Sequence, residues 1–219
     1  HPSARATAPG PAARTTRKGA AERTRLPRSA YAFRVTMVLQ GAVFGASQAG
    51  ITALTERLGA PAQAGLVYAA MGVTSAAVGL SMAAVPDRIG LVTRWRAATA
   101  ALVVLSVPLL FAGSLGALYA VVVVLGAAYA PHLITVFGLT ERTVPAARLA
   151  ESMAFLTSGI VGGQALALAV SGRLAEGHGA PAAFAVAVGA AVACAVLSWS
   201  VRAGVPRPSV RQGAAAPSG

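Results

Sequence analysis

The sequence predicts an all-α membrane protein of six transmembrane helices, and three observations predict it. First, the stretch from Ala97 to Thr140 contains no Asp, Glu, Lys or Arg. A bilayer core needs roughly 20 apolar residues of helix to cross it. The stretch, broken at Gly113-Ser114-Leu115-Gly116, therefore fits two crossings joined by a tight turn. A soluble domain has little room for two consecutive helices that lack a polar face. Second, 56% of the chain is hydrophobic and 11% charged, with mean hydropathy +0.67, too little polar surface to coat a soluble globule. Third, 219 residues divided into helices of this length hold about six crossings.

The net charge of +12 at pH 7 does not point to nucleic acid. The basic residues sit in the tails and short loops rather than on an aromatic-interleaved face. They fit a surface that meets anionic lipid. The single Cys194 excludes an intrachain disulfide or thiolate cluster, and no metal-ligand spacing, paired carboxylates or phosphate loop appears, so no cofactor is expected. The chain opens on His1 rather than Met, which predicts a longer protein.

Residues 1–30 form an Ala/Arg/Pro/Thr tract with seven basic residues up to Ser29 against Glu22 alone. Without hydrophobic periodicity it reads as a disordered cytoplasmic linker. The transmembrane domain covers residues 31–202, and residues 203–219 form a disordered tail. The first span is expected from Phe33 to Leu54, anchored by Tyr31 and Arg34. Within it Gly41 and Gly45 form a small-xxx-small pattern for close helix packing, and Gln40, Phe44 and Ser47 share a face. The second span, Ala64 to Val85, carries Thr74 and Ser75 near its middle. The third and fourth are Trp95 to Ala112 and Ala117 to Phe137. The fifth, Ser152 to Leu174, presents Gly159 and Gly163 four residues apart, a second packing surface. The loop from Ala175 to Pro181 then leads to the sixth, Ala182 to Val201.

The arginines predict orientation. One side collects the N-terminal tract, Arg34, Arg88, Arg94, Arg96, Arg142, Arg148, Arg202, Arg207 and Arg211, whereas the other has Arg57 and Arg173. The positive-inside bias makes the first side cytoplasmic, so both termini are expected there.

Between the second and third spans, Asp87, Arg88 and Gly90 match the loop pattern Gly-x-x-x-Asp-Arg-x-Gly-Arg-Arg, with Ala83 in place of the first Gly and Leu91-Val92 in place of the basic pair. With six spans and a basic segment before them, the chain resembles the C-terminal half of a major facilitator superfamily transporter. The resemblance implies a cell-membrane permease that moves a small molecule by alternating access. It also implies a partner, an N-terminal six-helix half, and a gate at Asp87, Arg88 and Gly90. Gly159-x-x-Gly162-Gly163 is similar to the glycine-rich motif of antiporters but lacks its Gly-Pro, which suggests proton-coupled efflux.

Transporter sites lie near the midplane between repeats. Gln164 lies about 18 Å into its span at 1.5 Å per residue, with Thr157 and Ser171 at seven-residue spacing on its face. Gln40, Thr74, Ser75, His132 and Gln164 are the polar residues available to a substrate path. His132 is the one side chain within a span that titrates near neutral pH and so the candidate proton relay. The competing expectation is that its imidazole bonds a carbonyl freed by Pro131. Two other readings remain. A six-span intramembrane serine protease would pair Ser47 with His132, although helix rise puts them about 10 Å apart in depth. A self-assembling six-span carrier would rebuild the cavity from two copies.

Overall fold

The computed structural model describes residues 26–84 and 88–201. The basic N-terminal tract up to residue 25, Asp87 of the gating loop and the C-terminal tail lie outside the described residues. All regular structure among the described residues is helical: α1 (Arg28–Arg57), α2 (Gln63–Ser81), α3 (Leu91–Ser106), α4 (Leu115–Thr143), α5 (Leu149–His178) and α6 (Ala180–Ser200). Each of the six segments, counted with its flanking 3-10 turn where it has one, is long and apolar enough to cross a membrane.

Several helix ends differ from the expected ones, for local reasons. α1 starts directly after Pro27, whose carbonyl accepts from the Ala30 amide at 2.9 Å, because Ala30 and Phe33 continue the buried face downward. α3 tightens into a 3-10 turn over Val107–Phe111, where Pro108 supplies no amide to an α-helical ladder. Ser114 caps α4, its Oγ accepting from the Ala117 amide at 3.3 Å. α4 continues through Pro131 and ends six residues beyond the expected Phe137.

The expected loop from Ala175 to Pro181 is absent. α5 extends to His178, and Gly179 alone separates it from α6. With φ 79° and ψ 175°, Gly179 occupies a region that side-chain-bearing residues all but never enter. Its amide still closes α5 onto the Ala175 carbonyl at 2.8 Å, and its carbonyl starts α6 by accepting from Ala182 at 3.1 Å. A Gly179→Ala change should destabilise the fold by about 1–3 kcal/mol through backbone strain alone, since the nearest non-local atom, Pro181 Cδ, lies at 3.7 Å. Thermal unfolding of the purified protein in detergent measures this; an unchanged midpoint would remove the strained turn.

α1 is the central helix. It packs most extensively on α5, then on α6, and also meets α4 and α2, while α2 packs on α4 and α3 on α4 and α6. α1 is also the most buried of the six segments, whereas α2 and α5 are the least buried. In lipid, apolar burial adds little to helix association, so close contact must supply it. Here the two predicted glycine pairs face each other. A Cβ on Gly41 would overlap the Ile160 carbonyl, one on Gly45 the Gln164 carbonyl, and one on Gly163 the Val38 carbonyl. Gly159 is looser, its added Cβ meeting Val38 Cγ2 at 3.3 Å. Gly126 of α4 does the same against the Met71 carbonyl of α2. Towards the arginine-rich end, Phe33 meets Trp95 edge to face at 5.4 Å within a core with Met37, Val136, Leu139 and Leu156.

Candidate functional site

Because α2 and α5 each pack on a different central helix and hardly touch one another, a cleft remains between them. Its floor is α1 and α4. Near the middle of the helices it deepens into a cavity of about 290 Å³, lined by Gln40, Gly41 and Phe44 of α1, Ser75 of α2, Tyr129, Ala130 and Leu133 of α4, and Ile160 and Gln164 of α5. Three of the polar residues expected along a substrate path, Gln40, Ser75 and Gln164, thus meet in one cavity. A broader hollow of about 730 Å³ opens where α1, α5 and α6 splay at their far ends, beside Glu56, Arg57 and Glu176. It lies at the helix termini rather than at mid-depth, so the smaller cavity is the better candidate for a central site.

The aromatic part of the cavity is held rigidly. Phe44 is gripped edge to face by Tyr68 at 5.2 Å and by Tyr129 at 5.0 Å. Pairs of this geometry add roughly 0.5–1.5 kcal/mol each beyond area burial. The Tyr129 phenol lies near the Ser47 hydroxyl, yet neither makes a well-formed hydrogen bond.

Behind Gln40 lies a buried polar chain that links three helices. Gln40 Nε2 donates to the Tyr129 carbonyl at 3.0 Å, and Gln40 Oε1 contacts His132 Nδ1. This orientation turns the amide oxygen towards the ring and makes Nδ1–H the donor. His132 Nε2 is then an acceptor, with Thr36 Oγ1 and Cys194 Sγ each at 3.5 Å, and Thr36 and Cys194 themselves meet at 2.8 Å. The imidazole therefore bonds side chains rather than a backbone carbonyl freed by Pro131. His132 is fully buried and reaches the cavity only through Gln40.

The remaining expected residues fall elsewhere. The Thr74 hydroxyl bonds back to the Ala70 carbonyl at 3.1 Å, the usual fate of a hydroxyl in a helix. Ser47 is not among the partners of His132, so the structure does not bring that pair together. Thr157 is exposed and bonds the Met153 carbonyl at 3.1 Å, while Ser171 is buried, so the stripe through Gln164 does not present one uniform face. Arg88 and Gly90 are exposed in the loop, where the Gly90 carbonyl accepts from the Arg94 amide at 3.1 Å at the start of α3.

Sequence reading missed Gln48, whose Oε1 accepts from Gln164 Nε2 at 3.4 Å, and Tyr129. It also missed Thr36 and Cys194 as partners of His132. Thr36 sits four residues before Gln40, a helical neighbour that periodicity could have flagged. Nothing in the sequence pairs Cys194 with either residue.

The chain matches the family profile described as Major Facilitator Superfamily over residues 32–218. The chain belongs to the major facilitator superfamily. No curated protein matches it closely enough to serve as a relative. The six helices fit a half of such a transporter, a multi-pass membrane protein whose family moves small molecules across lipid bilayers.

Proposed function

We propose that the chain supplies one half of a secondary transporter of the cell membrane that works by alternating access, with the cavity between α2 and α5 as one wall of the substrate path. The observation that carries this reading is the convergence of Gln40, Ser75 and Gln164 at mid-depth in a cleft whose two sides are the least buried helices of the bundle. Exposed to lipid, such polar groups would cost about 1–3 kcal/mol each without partners. A second six-helix body, the N-terminal half, covers the cleft and completes the site. Asp87, Arg88 and Gly90 form the gate on the arginine-rich, cytoplasmic side.

Filling the cavity tests the reading. A Ser75→Trp variant adds bulk from the loosely packed α2 and should abolish transport at unchanged membrane abundance. The measurement is mass-spectrometric comparison of small molecules inside cells that express wild-type protein, the variant or neither. Differences that persist unchanged in Ser75→Trp would exclude the cavity as the path.

Orientation is tested separately. With both termini cytoplasmic, Ser114 faces outward and Pro145 inward. In a Cys194→Ser background, a cysteine at position 114 should react with an impermeant thiol reagent on intact cells. Reaction at position 145 instead would invert the topology.

A proton-coupled version of the mechanism draws on one specific observation. His132 Nε2 faces Thr36 Oγ1, whose hydroxyl can rotate to accept rather than donate, while still donating to Cys194 Sγ. The chain could take up a proton at Nε2 without displacement of any heavy atom. Gln40 would then connect that event to the cavity.

A further inference from the structure

The lining of the cavity constrains what it can carry. None of its nine residues is an Asp, Glu, Lys, Arg or His. Every charged side chain among the described residues sits near a helix end or in a connection between helices, and His132 is screened from the cavity by Gln40. An ion brought into this space meets no counter-charge from this half, and its desolvation goes uncompensated.

The polar groups differ in what they have left to offer. Gln40 is committed on both functional atoms, to the Tyr129 carbonyl and to His132. Gln164 makes one long bond to Gln48 through Nε2, and its Oε1 has no hydrogen-bond partner among the described residues. Ser75 likewise makes no side-chain hydrogen bond among them, in contrast to Thr74 beside it. The two uncommitted groups stand on opposite sides of the cleft, on α2 and α5. Between them the floor presents Phe44 and Tyr129, locked edge to face, and the aliphatic Leu133, with Ile160 of α5 beside them. The site thus combines a fixed apolar bed with a neutral acceptor and a neutral hydroxyl.

We propose that the substrate of this cavity is an uncharged compound with an aromatic or similarly flat apolar body, which lies against Phe44 and Tyr129 and donates a hydrogen bond to Gln164 Oε1. Ser75 serves as the second polar contact across the cleft. This inference rests on the cavity being one wall of the transport path. It adds the chemical class that the wall selects: ionised carboxylates, phosphates and organic cations are disfavoured in favour of neutral amphipathic molecules.

Thiol chemistry distinguishes the two levels. A Gln164→Cys variant of the full-length protein, in a Cys194→Ser background, is exposed in right-side-out and inverted membrane vesicles to three methanethiosulfonates: benzyl (neutral), trimethylammonium-ethyl (cationic) and sulfonatoethyl (anionic). Each rate is divided by the rate of the same reagent at an exposed control cysteine, at position 114 in right-side-out vesicles and at position 145 in inverted ones. The normalised rate of the benzyl reagent should exceed both charged ones by about tenfold or more, as expected where a charge is desolvated without a partner. Comparable normalised rates for either charged reagent would overturn the substrate class and leave the transport path standing. No reaction in either vesicle orientation, with the control cysteine still reactive, would overturn both. Ser75→Cys, on the loosely packed helix, repeats the measurement from the opposite wall should Gln164→Cys fail to fold.

Discussion

Alanine at Gly45 or Gly163 should destabilise the bundle by about 1–3 kcal/mol, and leucine at either position should abolish folded protein. At both sites the added Cβ falls on a backbone carbonyl of the facing helix, Gln164 in one case and Val38 in the other. A backbone oxygen cannot swing aside as a side-chain tip can, so α1 and α5 must separate. Separation weakens the most extensive helix pair in the protein. It also moves Gln164 away from Gln40 and widens the cavity, so transport should fall together with stability. Gly189 of α6 provides the contrast, since a Cβ there meets nothing within 4 Å. Gly189→Ala should be neutral or stabilising by about 0.5–1 kcal/mol, because alanine loses less conformational freedom within a helix. Thermal unfolding in detergent compares the variants. Equal midpoints for Gly45→Ala and Gly189→Ala would show that the α1–α5 contact does not limit stability.

The second large effect is expected at Gln40. Gln40→Leu leaves the His132 Nδ1–H buried without an acceptor, at a cost of about 1–3 kcal/mol. Hydrogen bonds between membrane helices contribute up to about 2 kcal/mol, so the loss is expected in the lower part of that range. Adding His132→Phe removes the orphaned donor, so the double variant should regain much of the stability lost by the single one. Thr36 and Cys194 remain paired with each other in that background. A double-mutant cycle reads the coupling, and strict additivity would show that the two residues do not act together. Transport separates the roles further. If His132 only braces α4 against α1, the double variant recovers transport along with stability. If His132 takes up the proton, stability returns while dependence on a pH gradient does not.

Much of the architecture was legible from residue order. The charge-free stretch from Ala97 to Thr140, broken once by glycines, specifies a transmembrane hairpin because hydrocarbon excludes charge and rewards continuous helix. Gly41 and Gly45 of α1 and Gly159 and Gly163 of α5 were visible as packing surfaces, since small residues four apart leave a groove on any helix. Loop lengths were less legible. The residues Ala175 to Pro181 read as a polar loop, yet the helix runs on to His178, because nothing in Ala-Glu-Gly-His forbids helix and Gly179 alone can make the turn.

Only the tertiary structure decided which partners those surfaces and polar residues meet. That Gly41 and Gly45 pack on the strand of carbonyls beside Gly163, rather than on α2 or α6, depends on the angles at which six helices cross. The same holds for the polar side chains. Thr74 and Ser75 are adjacent in sequence, yet one hydroxyl is spent on its own helix and the other lines the cavity, because successive residues point about 100° apart on a helix. His132, Thr36 and Cys194 come from three helices and form one buried chain. Amphipathic period and composition are properties of a single segment and survive in the sequence. Contacts between segments are set by packing, and no single segment carries that information.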